Sequence, residues 1–333
     1  MTAPSAAVAG TTSLVSAAGY WALRHHGSVA VRRWRPSQLP RDRVGRLSVR
    51  GSDRGGPVLV LLHGLVATGD IFGRDFDALA ERATLVVPDL LGFGRSLDEH
   101  RTRFSPDDHL DALDDVLDLL GLADRPIVVG AHSMGSALAV RWMQRRGSQI
   151  RSLICWGPPI YPDSQAVDHA LAASGSMTRL FVANTRLAAL ACRLNCRHRT
   201  AAGLVAAALS PSLPVPISRA ASLHTWPAYR DAMEDLVAAT DWRRCLEDIA
   251  DDGGGVELTW GLDDRIGDRA VAATLRAAVR IVPQAGHHLP LTHPEICLGQ
   301  LSAGLARCGV KEPGESRHGS GPATRTSAAR SSR

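Results

Sequence analysis

The sequence predicts an α/β fold: a doubly wound, mostly parallel sheet with helices on both faces and an inserted helical cap. Three observations carry that reading. Short, continuous apolar runs at 57–62 (PVLVLL), 84–87 (TLVV) and 126–130 (PIVVG) are bounded by turn residues, as strands buried on both faces of a parallel sheet are. Helical segments alternate with these runs for over a hundred residues. From 157 to 235 the buried-strand signal stops, and sheet character returns only at 255–260 (GVELTW).

Taken in order, residues 44–50 (VGRLSVR) alternate apolar and polar and predict an outer strand. Gly51–Gly56 is a turn, 57–62 a buried strand, and Asp70–Arg82 a helical stretch. The next strand, 84–87, ends at Pro88-Asp89. Residues 107–120 place Leu110, Leu113, Leu117 and Leu120 at helical spacing, with acids on the opposite face. Ser105 is the predicted cap, Pro106 the first-turn proline, and Gly121 the stop. After strand 126–130, a helix is expected at Met134–Arg146 and a strand at Ile150–Trp156. The 157–235 segment opens on Gly-Pro-Pro, is Ala-rich and helical at 183–209, and is broken by Pro211, Pro214 and Pro216. Val279–Val282 gives a last strand and Pro294–Arg307 a last helix. The expected division is an N-terminal helical, basic extension (1–43), a core (44–156 and 236–308), a cap (157–235) and a disordered tail (309–333). From Lys311 on, the tail has no large apolar side chain whose burial would offset the entropy of ordering it.

The 333 residues are 45% hydrophobic with a net charge of +5, but the positive charge sits at the ends. Residues 1–50 hold eight Arg and one acid, Asp42. The tail adds Lys311, Arg317, Arg325, Arg330 and Arg333, so the segment between is net acidic. Nucleic-acid binding needs a basic face on a folded element, and the core shows no such cluster; a nucleic-acid partner is not expected. The six cysteines form no CxxC pair and show no zinc spacing. Cys155 and Cys297 read as core residues; Cys192 and Cys196 fall one helical turn apart and read as structural. Residues 5–23 are uncharged but hold Thr11, Thr12, Ser13 and Ser16, too polar for a membrane span. They read as a surface helix; weak membrane association beside Arg24, Arg32, Arg33 and Arg35 is the alternative. The expected location is cytoplasmic, with that alternative attached.

The chemistry lies at three strand ends. The strand ending at Gly130 runs into Ala131-His132-Ser133-Met134-Gly135 and then a helix. Small residues two before and two after the serine let strand and helix approach, and the sharp turn lifts the serine hydroxyl above the sheet. The first small residue is Ala131 where the usual pattern has Gly. A serine is a weak nucleophile without a base. The base and its acid should follow in the order Ser, acid, His. Strand 255–260 leads into Gly261-Leu262-Asp263-Asp264, and strand 279–282 into Gly286-His287-His288. Both therefore place their polar groups at the carboxyl edge, where open α/β sheets bind ligands. No dinucleotide fingerprint, P-loop or metal cluster occurs, so no cofactor or metal is implied.

These motifs resemble the lid-bearing branch of the α/β-hydrolase superfamily. The similar segments are Leu61-Leu62-His63-Gly64-Leu65, Pro88-Asp89-Leu90-Leu91-Gly92-Phe93-Gly94-Arg95-Ser96, the Ser133 turn, Gly261–Asp264 and Gly286-His287-His288-Leu289-Pro290. The resemblance implies Ser133 as nucleophile, His287 over His288 as base, and Asp264 over Asp263 as acid. It implies the backbone N–H groups of Leu65 and Met134 as the oxyanion hole. His63, Gly64, Trp156 and Trp226 are candidate pocket residues, with His63 read first as a loop anchor and both tryptophans first as packing. The implied activity is hydrolysis of a carboxylic ester or thioester of a hydrophobic acyl substrate. Rivals are carbon–carbon bond hydrolysis or cofactor-free perhydrolysis on the same triad, and a non-catalytic ligand-binding protein.

Overall fold

The computed structural model describes residues 18–173, 186–251, 255–275 and 277–310. Its centre is an eight-stranded sheet in the order β1-β2-β4-β3-β5-β6-β7-β8. The strands are β1 (Arg41–Val44), β2 (Leu47–Ser52), β3 (Val58–Leu62), β4 (Thr84–Asp89), β5 (Ile127–His132), β6 (Ile150–Trp156), β7 (Gly255–Gly261) and β8 (Ala278–Val282). β1–β2 and β2–β4 pair antiparallel; every pairing from β4 through β8 is parallel.

The apolar runs earn their place by serving two cores at once. Along β3, Val58, Val60 and Leu62 join a core with Leu110, Leu113, Leu117 and Trp142. Leu59 and Leu61 join a second core with Phe72, Phe76, Leu301 and Leu305. Successive strand side chains point to opposite faces, so only an unbroken apolar run fills both. Each such side chain, fully buried, contributes about 1.5–3 kcal/mol.

Helix α1 (Pro106–Leu119) starts on a capping box. Asp108 N–H donates to Ser105 Oγ at 3.2 Å and Ser105 N–H donates to Asp108 Oδ2 at 2.8 Å, satisfying donors the first turn leaves open. Gly121 follows at positive φ (67°). Its neighbour α2 (Met134–Arg146) faces the acids of α1: Trp142 Nε1 donates to Asp114 at 2.7 Å, and Arg145 pairs with Asp107 and Asp111, each at 2.7 Å. Helix α9 (Pro294–Arg307) covers the other face over β5 and β6.

Two local expectations need correction. The outer strand expected at 44–50 is a hairpin: the chain turns at Gly45 (φ 55°) and both arms are strands. The helical stretch expected at 70–82 is two 3₁₀ segments, Gly69–Ile71 and Arg74–Glu81, separated at Phe72-Gly73. Gly73 is extended there (φ −72°, ψ −163°), and Arg74 N–H donates to Arg35 O at 2.8 Å instead of to a helical partner.

Between β6 and β7 the described residues hold α3 (Ser164–Ala173), α4 (Arg186–Arg197), α5 (Arg199–Leu209), α6 (Val215–Ala220), α7 (Trp226–Ala232) and α8 (Trp242–Asp251). A single antiparallel bridge joins Phe93 to His224. Ala228, Ala232 and Met233 already belong to the core of β3 and α2, so the helices merge with the core before residue 235. Residues 18–27 are helical and lie against this region: Trp21 Nε1 donates to Ala207 O at 3.3 Å and Ser28 Oγ to Ser212 O at 2.6 Å. Residues 5–17 of the uncharged N-terminal segment and the tail from 311 lie outside the described residues. Among the described residues no helix is long and apolar enough to cross a membrane.

Candidate active site

Ser133 stands between β5 and α2 with φ 52° and ψ −122°. A non-glycine residue there is strained, and such strain is sustained only where the surroundings over-determine it. The surroundings here are specific. Ser133 N–H donates to Trp156 O at 2.9 Å, tying the turn to the end of β6. A Cβ on Gly135 would stand 2.7 Å from both Leu62 O and His63 O, so only glycine lets α2 approach β3 this closely. Gly64 fits on the other side: a Cβ there would lie 3.0 Å from Ser133 Cβ. Ala131 is fully buried and fits its position.

Asp264 follows β7 and His287 follows β8. His287 Nδ1 lies 3.0 Å from Asp264 Oδ2 and 3.2 Å from Oδ1. The carboxylate has no exposed side-chain surface and also accepts the Ile266 N–H at 2.8 Å. An imidazole that donates from Nδ1 presents Nε2 as an acceptor. Asp263, the neighbouring carboxylate, is exposed.

The serine and the imidazole meet through neighbours. His132 Nε2 is 2.9 Å from His287 O, and the two rings lie 4.8 Å apart. Ser133 Oγ makes no hydrogen bond to His287 among the described residues; catalytic hydrogen bonds often tighten only when substrate is present. His132 is buried, and that burial, with His287 beside it, pushes its pKa well below the usual value. Burial likewise holds His288 down to about 4. Both are thus neutral near pH 7, and His132 Nε2–H donates to the His287 carbonyl.

Two residues here gave no signal in the sequence. Gly157 (φ 58°) backs the Asp264–His287 pair: a Cβ on it would stand 2.8 Å from His287 Nδ1 and 3.0 Å from Asp264 Oδ2. In sequence it was only the first residue of a Gly-Pro-Pro break. The contact of His132 with residue 287 spans 155 positions, beyond any local pattern.

The remaining candidates fall in different places. His63 is fully buried; its Nδ1 lies 2.8 Å from Gly64 O and its Nε2 accepts the Leu90 N–H at 2.8 Å. Those bonds hold the β3 and β4 loops together. Trp156, a candidate pocket residue, instead turns a fully buried indole into the second core and donates to Gln300 at 2.9 Å. Trp226 lines a surface cavity beside α4 and stacks on Tyr229 at 6.0 Å. Leu65 is partly exposed after β3, Met134 is buried at the start of α2, and Val66 next to Leu65 has a strained φ of 48°.

Residues 57–294 match the family model for the alpha/beta hydrolase fold. Among curated proteins, the chain is 37% identical over 108 residues to the magnesium-chelatase 30 kDa subunit of Rhodobacter capsulatus, covering 32% of this chain and 37% of that one. It is 36% identical over 98 residues to Lipase 3 of Moraxella sp. (29% and 30% of the two chains) and 35% identical over 113 residues to lipase LipV of Mycobacterium tuberculosis (34% and 41%). The chain thus spans about a third of the length of the curated relatives it matches. In overall fold it is similar to E-2-(acetamidomethylene)succinate hydrolase, with TM-score 0.60, 20% identity and coverage of 80% of this chain and 98% of that one. It is also similar to a thermophilic esterase from Thermogutta terrifontis, with TM-score 0.58, 20% identity and coverage of 82% and 99%.

Proposed function

The chain belongs to the α/β-hydrolase fold family, and on that premise we propose that it is a serine hydrolase cleaving carboxylic esters or thioesters of hydrophobic acyl groups. One observation carries the reading: a buried Asp264 hydrogen-bonded to His287 at 3.0 Å, beside a serine held at positive φ. A packing role needs none of these three features together.

The proposed steps are these. Asp264 accepts the Nδ1 proton of His287 and fixes the tautomer that leaves Nε2 free. Ser133 Oγ attacks the acyl carbonyl as His287 Nε2 takes its proton. The N–H groups of Leu65 and Met134 receive the negative charge that develops on the carbonyl oxygen, about 3 kcal/mol for one such donor. His287 then protonates the leaving alcohol or thiol, and water, activated by the same imidazole, releases the acid and restores Ser133. Curated relatives named lipases support the ester reading. The helices between β6 and β7, with few charges on α3 and α5, support a hydrophobic acyl chain and the role of a lid.

Hydrolysis of p-nitrophenyl esters from acetyl to palmitoyl tests this. The native protein should turn over part of the series and Ser133→Ala none of it above background. Equal turnover by both proteins would end the assignment.

A further inference from the structure

Away from the proposed triad, α4 carries two cysteines on one face, four residues apart, and both meet the segment before α7. Cys192 is buried, with Sγ 3.4 Å from His224 Nε2. Cys196 is half-buried, with Sγ 3.1 Å from His224 O. Cys196 also lines a cavity of about 370 Å³ with Arg193, Arg197, Arg199, Glu99 and Trp226. Arg199 pairs with Glu99 at 2.6 Å, yet its Nε is buried without a partner among the described residues. Arg193 and Arg197 are exposed. A thiol thus opens into a cavity whose charged lining is three guanidiniums and one carboxylate.

We propose that this cavity is a thiol-modification site, in which Cys196 exchanges with a small disulfide that carries carboxylates. The guanidiniums recognise the carboxylates; the thiol supplies the bond. Cys196 loses its proton to solvent, and its sulfur attacks one sulfur of the disulfide. A new S–S bond forms, the original one breaks, and the departing thiolate takes up a proton. No net oxidant is consumed, because one disulfide replaces another.

The surroundings favour the thiolate. The Cys192 thiol, through its hydrogen bond, lowers the pKa of Cys196, against burial that raises it; Arg199 and the Trp226 N–H lower it further. His224 is kept neutral by burial, at about 4, and its Nδ1 lies 2.9 Å from Ala221 O. Its Nε2 is therefore an acceptor for the Cys192 S–H, and when Cys196 ionises the same S–H turns to donate to the Cys196 thiolate while staying bound to Cys192. Elsewhere, burial pushes the Cys308 thiol up, and Cys155, Cys245 and Cys297 are buried with raised pKa values. The mixed disulfide should persist. Helix positions four apart keep their Cβ atoms about 5–6 Å from each other, whereas a disulfide needs about 3.5–4.5 Å. The Cys196 thiol donates its S–H to His224 O; ionisation gives up that bond and modification makes the loss lasting, which loosens the contact between α4 and the 223–226 segment.

The test compares an anionic probe, 5,5′-dithiobis(2-nitrobenzoate), with a neutral one, 2,2′-dithiodipyridine, on the folded full chain. Adducts are mapped by peptide mass spectrometry. The first equivalent of either probe should map to Cys196 in the native protein. Arg197→Gln and Arg193→Gln should each slow the anionic probe about two- to fivefold, the scale of one exposed charge, and leave the neutral probe within that margin. First reaction at Cys308 or another cysteine overturns the site. An unchanged anionic rate in both arginine variants overturns the recognition.

Discussion

At the carboxyl edge of the sheet, Ser133, Asp264 and His287 follow three strands locked in parallel register. The helices between β6 and β7 are built differently: Leu190, Leu194, Leu204, Val205 and Leu209 stay exposed on α4 and α5. The first region is fixed by backbone ladders and by contacts that admit only glycine at positions 135 and 157. The second is held by side chains at a few points, such as Cys196 on His224 and Trp21 on Ala207. Under the proposed function, reaction geometry would belong to the sheet edge and the choice of acyl group to the helices.

Mutation should expose that division, beginning with the largest effect. Ser133→Ala should lower kcat on any accepted ester by roughly 10⁴–10⁶, with an unchanged melting temperature. Asp264→Asn should cost about 10⁴ in kcat, because an amide can turn its NH₂ toward Nδ1 and invert the tautomer. Assays on a short and a long ester should show the same loss; a loss confined to long esters would place Asp264 among specificity residues.

Stability should respond in the core and not on the helices. Leu117→Ala, at the buried face of α1, should cost about 2–5 kcal/mol in denaturant unfolding. Leu194→Ala, 53% exposed, should change stability by less than about 0.5 kcal/mol and yet shift the chain-length preference. No shift in either quantity would remove α4 from the specificity account.

Acid should attack the core through its buried histidines. Burial holds His109 at about 4, and neither of its ring nitrogens has a hydrogen-bond partner among the described residues. The native value lies below the unfolded value of about 6.5, so its contribution is fully present above pH 6.5 and is lost as pH falls toward 4. Native stability should drop by about 2 kcal/mol per such histidine between pH 7 and pH 5, and His109→Leu should flatten that limb by one proton. A limb of equal slope in the variant would show that His109 does not contribute. The smallest effect on chemistry should come from Gly157→Ala. A methyl group 2.8 Å from His287 Nδ1 should displace the imidazole and reduce kcat by about 10²-fold, with KM little changed.

Much of this was legible in the residues. Apolar runs gave β3, β4 and β5, because a strand buried on both faces has few polar positions. Ser105, Pro106 and Gly121 bounded α1, because capping is local chemistry. Readable strands pointed to Ser133, to Asp263-Asp264 and to His287-His288, and the family resemblance chose Asp264 and His287 within the pairs. What was missed is non-local. The hairpin at Gly45 is fixed by pairing with β4, and the 3₁₀ break at Gly73 by the backbone at Arg35. Gly157 matters only once β6 lies beside β7. The pocket residues were least legible: Trp156 and Trp226 are alike in sequence, but one faces the core beneath α9 and the other a cavity beside α4.

The central claim is that Ser133 is the activated nucleophile. Incubation with a fluorophosphonate, followed by intact and peptide mass measurement, tests it without knowledge of the natural substrate. The account predicts one adduct per chain, on Ser133, absent from Ser133→Ala and formed far more slowly in Asp264→Asn. Ester turnover by native protein with no adduct on Ser133, or with the adduct on another residue, would contradict it.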